Sequence, residues 1–441
     1  MNFELLKNKA LEAGIKEIEL YESISHSLSI SLFDEAVDQR EESKTDVFAI
    51  RGVYNNQIAT VYSENGNEDN IPALIDRLKS AAAVITKDDP FFIYAGDKDY
   101  QEKPVVEHDF KNHSTKEKIE LMQAMVKRMR EKTDCFFHAQ AEYGEAYNEV
   151  RITNSNGLNV HNANEYATIV GAVVCQKNGE MKDSYDYKFI KNLSDLDVNE
   201  FSDKIVETAM SKFGADTIPS NSYKVVLQND VVCDLIGVYK SIFFANAVKK
   251  KRSFLEGKLG EQVFGKNVTL TDDPFCEASP VYQSFDDEGV AARATEIVTN
   301  GKLNTYLHNL STAAYYNTKS TGNGYKPSVK SGVAIDSTTL CLKAGKTSFA
   351  DLLAQVGDGV LITSITGLHA GVNQISGDFN VQCSGYLIEN GKKGRAVTLI
   401  ILSGKFQEVF NNIKEVGSDL YYSNGIYAPS LYIESMNISG K

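Results

Sequence analysis

Two imidazoles flanking a carboxylate can bind zinc and hold a general base, and the chain carries such a set at His108-Asp109-Phe110-Lys111-Asn112-His113. On a regular helix, residues five apart are separated by about 140°. Ser114 has the character of an N-cap for the segment that follows, so both histidines are expected in a loop before it, where solvated histidines are the ordinary outcome. Acidic runs occur at Asp272-Asp273 and Asp286-Asp287-Glu288. Each has the residue types for a metal or an acid–base pair, and each equally suits a turn cap facing water. Lys249-Lys250-Lys251-Arg252 follows a helical pattern, where cations favour the helix C-terminus over any contact with nucleic acid. Ala344-Gly345-Lys346-Thr347 ends like a phosphate-binding loop, but position 340, where the wrapping glycine belongs, is Leu340. His369 and Cys383 share a glycine-rich stretch without an evident orienting acid. Neither G-x-S-x-G nor H-E-x-x-H occurs. By residue chemistry alone, a binding or structural subunit fits better than an enzyme.

The elements that would position these residues follow from periodicity. Phe3, Leu6, Ala10 and Ala13 share a helical face that Gly14 ends. Leu28, Ile30 and Leu32 alternate with serines, the period of a half-buried strand. A second helix is expected from Ile71 to Val84, and a third after Ser114, which has capping-box spacing to Glu117 and a stripe of Ile119, Met122, Val126 and Met129. The stretch from Pro90 to Lys116 reads as a surface connector. Further helices are expected at about Asn199–Phe213 and Val231–Val248. Asn-Gly pairs begin at Asn65, Asn156, Asn178, Asn300, Asn323, Asn390 and Asn424. They predict hairpins, because the type I′ turn needs positive φ at both central residues.

The whole reads as an α+β chain of two domains. Residues 1–220 form N-terminal helices packed with antiparallel sheet, and 221–441 form a β-rich domain with hairpins; the boundary falls at Pro219-Ser220-Asn221-Ser222. The 441 residues, 42% hydrophobic and 24% charged, have the composition of a globular protein. A formal net charge of -13 argues against direct nucleic-acid binding. The N-terminal residues lack an apolar signal core, and the longest apolar stretch, Ala167 to Cys175, is about half a membrane span. The expectation is a cytoplasmic protein without a membrane segment. Its six cysteines form no C-x-x-C, so they are expected as free thiols.

A series of segments in the second half is more specific. In order they are Leu255-Glu256-Gly257-Lys258-Leu259-Gly260-Glu261-Gln262-Val263, Asp286-Asp287-Glu288-Gly289-Val290, Asn300-Gly301-Lys302-Leu303 with Tyr306-Leu307, and Ser320-Thr321-Gly322-Asn323-Gly324. Then come Gly367-Leu368-His369-Ala370-Gly371-Val372-Asn373, Ser376-Gly377-Asp378-Phe379, Tyr386-Leu387-Ile388-Glu389-Asn390-Gly391-Lys392, and an ending from Pro429-Ser430-Leu431 to Ser439-Gly440-Lys441. Together, over about 220 residues, they resemble the TldD/PmbA family, also labelled modulator of DNA gyrase. The resemblance implies two branches. TldD-like chains hold zinc with H-E-x-x-x-H on a helix and a C-terminal cysteine. PmbA-like, or TldE-like, chains lack both and pair with a TldD-like chain to form a peptidase for unfolded peptides.

In this chain the expected motif falls near Gly237-Val238-Tyr239-Lys240-Ser241-Ile242; no histidine lies between His161 and His308, and no cysteine follows Cys383. The resemblance therefore implies the PmbA branch: no catalytic residue and no metal in this chain, with zinc in a TldD-like partner. The implied assembly is a heterodimer with that partner, or a homodimer, acting on an unfolded peptide that could add as a strand to a sheet edge. Asn323, His369 and Asn373, polar residues among glycines, are the expected peptide-binding positions, although the same pattern suits turns. The alternatives are an autonomous peptidase with an unrecognised site, such as His108, Asp109 and His113, or a regulator that binds DNA gyrase.

Overall fold

A computed structural model of the chain describes residues 1–85, 92–102 and 108–441. Part of the expected 90–116 connector lies outside them. The described part of that connector contains one short 3-10 turn, Phe110–Asn112. The chain divides into two compact units. Unit 1 comprises Met1–Phe213, Pro280–Ala291 and Lys326–Val333, and unit 2 comprises Gly214–Ser279, Ala292–Tyr325 and Ala334–Lys441.

In chain order, the elements of unit 1 are α1 (Phe3–Glu12), β1 (Glu17–Phe33), β2 (Ala36–Tyr54), β3 (Gln57–Ser63), α2 (Ile71–Ala83), α3 (Thr115–Lys132), β4 (Phe136–Asn154), β5 (Asn159–Lys177), β6 (Glu180–Ile190) and α4 (Val198–Ser211). The strands form one antiparallel sheet in the order β3-β2-β1-β4-β5-β6. β1, β2, β4 and β5 run for 17 to 19 residues, far beyond the usual five or six or so. Their length lets one sheet carry two cores. At one end, α1 and α2 pack Leu6, Leu74, Ile75 and Leu78 against Ile18, Leu20 and Ile50. At the other, α3 and α4 pack Met122, Val126, Phe201 and Ile205 against Ile30, Tyr143 and Ile169. Each such fully buried apolar side chain contributes about 1.5–3 kcal/mol relative to exposure. α3 starts at the expected cap, where Ser114 and Glu117 form the reciprocal capping box, and α4 starts at Asp197, whose side chain accepts from Glu200 N–H at 2.9 Å.

Unit 2 contains β7 (Asn221–Leu227), α5 (Asn229–Tyr239), α6 (Ala245–Lys249), β8 (Leu270–Asp272), β9 (Thr295–Thr299), β10 (Lys302–Leu303), α7 (Leu310–Tyr315), β11 (Gly324–Tyr325), β12 (Ala334–Ile335), β13 (Leu340–Leu342), α8 (Phe349–Val356), β14 (Gly359–Thr366), α9 (Leu368–Gly371), β15 (Asp378–Glu389), β16 (Lys392–Lys405), α10 (Phe406–Asn411), β17 (Ile413–Val416), β18 (Tyr421–Ser423), β19 (Ile426–Ala428) and β20 (Leu431–Ser439). One sheet runs β16-β15-β14-β7-β20-β17, and β20 also pairs with β16, so five of its strands close into a ring. A second sheet runs β10-β9-β8-β13-β19-β18. The largest core cluster of the unit draws Val225, Leu227, Ile236, Tyr239, Leu340 and Ile433 from both sheets and α5, with Phe264 from a loop. The architecture is α+β with a β-rich C-terminal half, as the patterning predicts.

Four of the Asn-Gly pairs, at Asn178, Asn300, Asn390 and Asn424, are two-residue hairpin turns with φ of 48 to 51° at Asn and 74 to 83° at Gly. Asn156-Gly157 sits in the longer β4–β5 connection. Asn65 lies in a loop after β3, and Asn323 is buried. The helix expected over Val231–Val248 is broken: α5 stops at Tyr239, a 3-10 turn spans Lys240–Phe243, Phe244 is extended at φ -85° and ψ 126°, and α6 follows. That break shapes the site described next.

A donor-rich groove in the second unit

A groove with a volume of about 1270 Å³ lies in unit 2 between the broken helix and the loop joining β14 to β15. This exceeds the ~300–1,000 Å³ of a drug-sized pocket. On the helix side, the extended Phe244 bridges to Leu307, and α6 starts after it. Val238, Ser241, Asn246 and Ala247 then line the groove, with Lys250 and Arg252 beyond the helix end. On the other side, Gly367 turns out of β14 at φ 78°, α9 makes a single turn, and Val372 bridges to Phe379. Gly371 is required there, because a Cβ would meet the carbonyl of Asn380.

Two contacts fasten the loop to the helix. The buried Tyr239 hydroxyl shares its proton between the carbonyls of Gly377 and Asp378, both at 2.8 Å. Burial first, and the Asp378 charge second, push this phenol well above its usual range, so it stays a neutral donor. Gln374 donates to the Val238 carbonyl at 2.7 Å and accepts from the Ser241 hydroxyl at 3.1 Å.

Of the expected binding residues, His369 and Asn373 line the groove and are exposed. Asn373 also makes a turn: its side-chain oxygen accepts from the N–H groups of Ile375 and Ser376 at 3.0 and 3.3 Å. Asn323 does not line the groove. It is 1% exposed, donates to Asp272 at 2.6 Å and to the Asp336 carbonyl at 2.9 Å, and accepts from the Thr321 hydroxyl at 2.6 Å. Lys250 and Arg252, read from the sequence as a helix-end cap, belong to the groove wall. The sequence signal was the basic run itself; its placement depends on the break at Phe244, which helical periodicity does not encode.

The other chemistry-bearing sets fold into structural roles. Asp109 accepts from the Leu193 N–H at 2.8 Å, while His113 lies 3.5 Å from both Asp109 and Glu117, and the His108 ring packs against Phe110 with centroids 5.1 Å apart. Asp272 is buried and accepts from Asn323 and Thr338, and Asp273 caps Phe275. Asp286 closes a turn through the N–H groups of Glu288 and Val290, and Asp287 accepts from the Tyr21 hydroxyl at 2.7 Å. Cys383 is buried, and desolvation pushes its thiol up to about 12, so it is no partner for the exposed His369. Gly345 pairs its N–H with the Gly417 carbonyl at 2.8 Å in an ordinary loop.

A zinc site of the H-E-x-x-x-H type does not fit the residues at the broken helix. The side chains lining the groove from this segment are aliphatic, aromatic, hydroxyl or amide groups, and zinc needs thiolate, imidazole or carboxylate donors. Among the described residues, no group of three or more His, Cys, Asp or Glu is placed to hold a metal ion. Among those residues, no helix is long and apolar enough to cross a membrane.

The chain matches three family models in sequence. They are described as PmbA/TldA metallopeptidase domain 1, over residues 18–82, the central domain, over 108–213, and the C-terminal domain, over 220–440. The metalloprotease PmbA of Escherichia coli O157:H7 is 25% identical over 321 residues, 69% of each chain. A PmbA homologue of Haemophilus influenzae is 28% identical over 322 residues, 68% of each. Among solved structures, a Thermotoga maritima protein labelled as a modulator of a DNA gyrase superposes with a TM-score of 0.91 at 28% identity, covering 99% of this chain and 100% of that one. TldE from Thermococcus kodakarensis shares the fold, with a TM-score of 0.89 at 22% identity over 99% of each chain. Consecutive models from residue 18 to residue 440, with a matching fold along the whole chain, make this protein a member of the PmbA/TldD metallopeptidase family.

Proposed function

We propose that this chain is the zinc-free, PmbA/TldE-like subunit of a two-chain peptidase, working in the cytoplasm, and that its unit 2 groove receives an unfolded peptide segment. One observation carries this reading. The groove is large and carries charged and amide groups, yet the residues that line it from the broken helix, Val238 to Arg252, include no thiolate, imidazole or carboxylate. The chain retains a place for substrate beside a helix that cannot supply the metal chemistry of a family described as metallopeptidases.

In this reading a TldD-like partner supplies the zinc, and this chain contributes binding and orientation. His369 and Asn373 contact the peptide, and the Tyr239 and Gln374 contacts hold their loop in place. β15 is not available for strand addition at the groove. β14 and β16 flank most of it, and its first residues are covered by the Val372–Phe379 bridge and the bond from Asn373 N–H to the Asp378 carbonyl. Side-chain amides and charges, rather than a bare strand edge, hold the peptide.

The test is the zinc content of the purified chain after mild dialysis, together with peptidase assays with and without a co-purified H-E-x-x-x-H chain. The expected result is far less than one zinc per chain, no hydrolysis by the chain alone, and hydrolysis by the pair. Stoichiometric zinc, or chelator-sensitive hydrolysis by the chain alone, overturns the proposal.

A further inference from the structure

The groove is unusual for this chain in its charge. The whole chain carries a net -13, yet the groove lining includes Lys250 and Arg252 against one carboxylate, Asp378. That carboxylate already accepts from the Ser376 hydroxyl and lies 4.0 Å from Lys405. Among the described residues, neither Lys250 nor Arg252 forms a side-chain ion pair or hydrogen bond. Neutral donors join them. The Asn373 oxygen is spent on its turn, which leaves its two amide N–H groups for a ligand. Asn246 and His369 line the same wall. The groove therefore presents two unpaired cations and several N–H donors, with its one acid already engaged by Ser376 and Lys405.

Such a wall is complementary to acceptors that carry negative charge. Resting on the peptide-groove reading, we propose that the groove selects segments rich in carboxylates, with Lys250 and Arg252 as the specificity-determining residues. The carboxylates could come from Asp and Glu side chains or from a free peptide C-terminus, and the chemistry is shared. A peptide also has backbone carbonyls for Asn246, His369 and Asn373, which suits the mixture of charged and neutral donors better than a phosphate backbone, whose recognition needs a longer basic track.

The experiment measures fluorescence anisotropy of labelled, unstructured peptides of equal length on the full chain. One peptide is Asp/Glu-rich, one Ser/Gly-rich and one Lys-rich, each with a free or an amidated C-terminus, and all are measured at low and high salt. The expected order is acidic, then neutral, then basic. The acidic-to-neutral affinity ratio should be about tenfold at low salt, which two exposed charge contacts and their long-range attraction can supply, and it should shrink at high salt. Lys250→Ala and Arg252→Ala should each lower that ratio, and the double variant should bring it close to one. A ratio surviving amidation assigns the effect to Asp and Glu, and a ratio lost on amidation assigns it to the terminal carboxylate; both support the proposal. Equal binding of all three peptides overturns the charge selectivity while leaving the peptide groove standing. No binding of any peptide overturns the groove reading and this inference with it. A single-stranded oligonucleotide that binds more tightly than the acidic peptide and displaces it also overturns the proposal.

Discussion

Asn323 and Asp272 show how much of a residue's role depends on burial. Burial pushes the Asp272 carboxyl up to about 6, against the pull of hydrogen bonds from Asn323 and Thr338. Its folded value lies above the ordinary value of 3.8, so the native state binds more protons than the unfolded chain between about pH 4 and 6. Stability from this group is present below that window and falls as pH rises through it. Asn323 donates the hydrogen bond at 2.6 Å that limits the penalty. Asn323→Leu removes that donor and should cost about 1–3 kcal/mol, more at pH 7 than at pH 4.5, as read by thermal or urea denaturation across pH. Weakened peptide binding by a variant of unchanged stability would instead return Asn323 to the list of binding residues.

At the scale of elements, the groove depends on a short loop tied to a broken helix. The 367–377 loop hangs on the Tyr239 hydroxyl and the Gln374 amide. Tyr239 is fully buried and packs against Phe406 with ring centroids 4.6 Å apart, so Tyr239→Phe keeps the packing and removes the donor. The expected outcome is a loss of about 1–2 kcal/mol in stability and faster amide hydrogen exchange confined to 367–377 and the start of β15. Unchanged exchange in that loop would show that Gln374 and the Val372–Phe379 bridge hold it without the tyrosine.

For the molecule as a whole, the decisive feature of unit 2 is ring closure. β20 pairs with β7, β17 and β16, so the last strand completes the sheet begun by β7, about 200 residues earlier in the chain. Closure leaves fewer bare edges to aggregate. A chain ending at Pro429 lacks β20, exposes the ladder groups of β7, β16 and β17 and opens the core around Val225 and Ile433. It should be insoluble or lose its near-ultraviolet circular dichroism. A soluble truncated chain with native near-ultraviolet signal would show that the ring is not needed for folding.

Local chemistry settles in the sequence where the controlling residues are neighbours. The capping box at Ser114 and Glu117, the amphipathic stripe of α2 and four Asn-Gly hairpins were legible because each is governed by residues within about one turn or one hairpin. The order of the family-like segments carried the family, and the missing histidines between His161 and His308 carried the lack of a zinc motif at the helix. What neighbours do not control was left to the tertiary structure. The helix from Val231 has apolar residues in the right period past Tyr239, yet it breaks, because Phe244 takes a bridge to Leu307, some sixty residues away. The same break sets Lys250 and Arg252, still at a helix end, on a groove wall, burial takes Asn323 out of the groove, and the turn after β14 leaves His369 exposed on it. Periodicity fixes which face of an element is apolar; which polar residues of distant segments share a cavity is decided by packing, whose partners lie far apart along the chain.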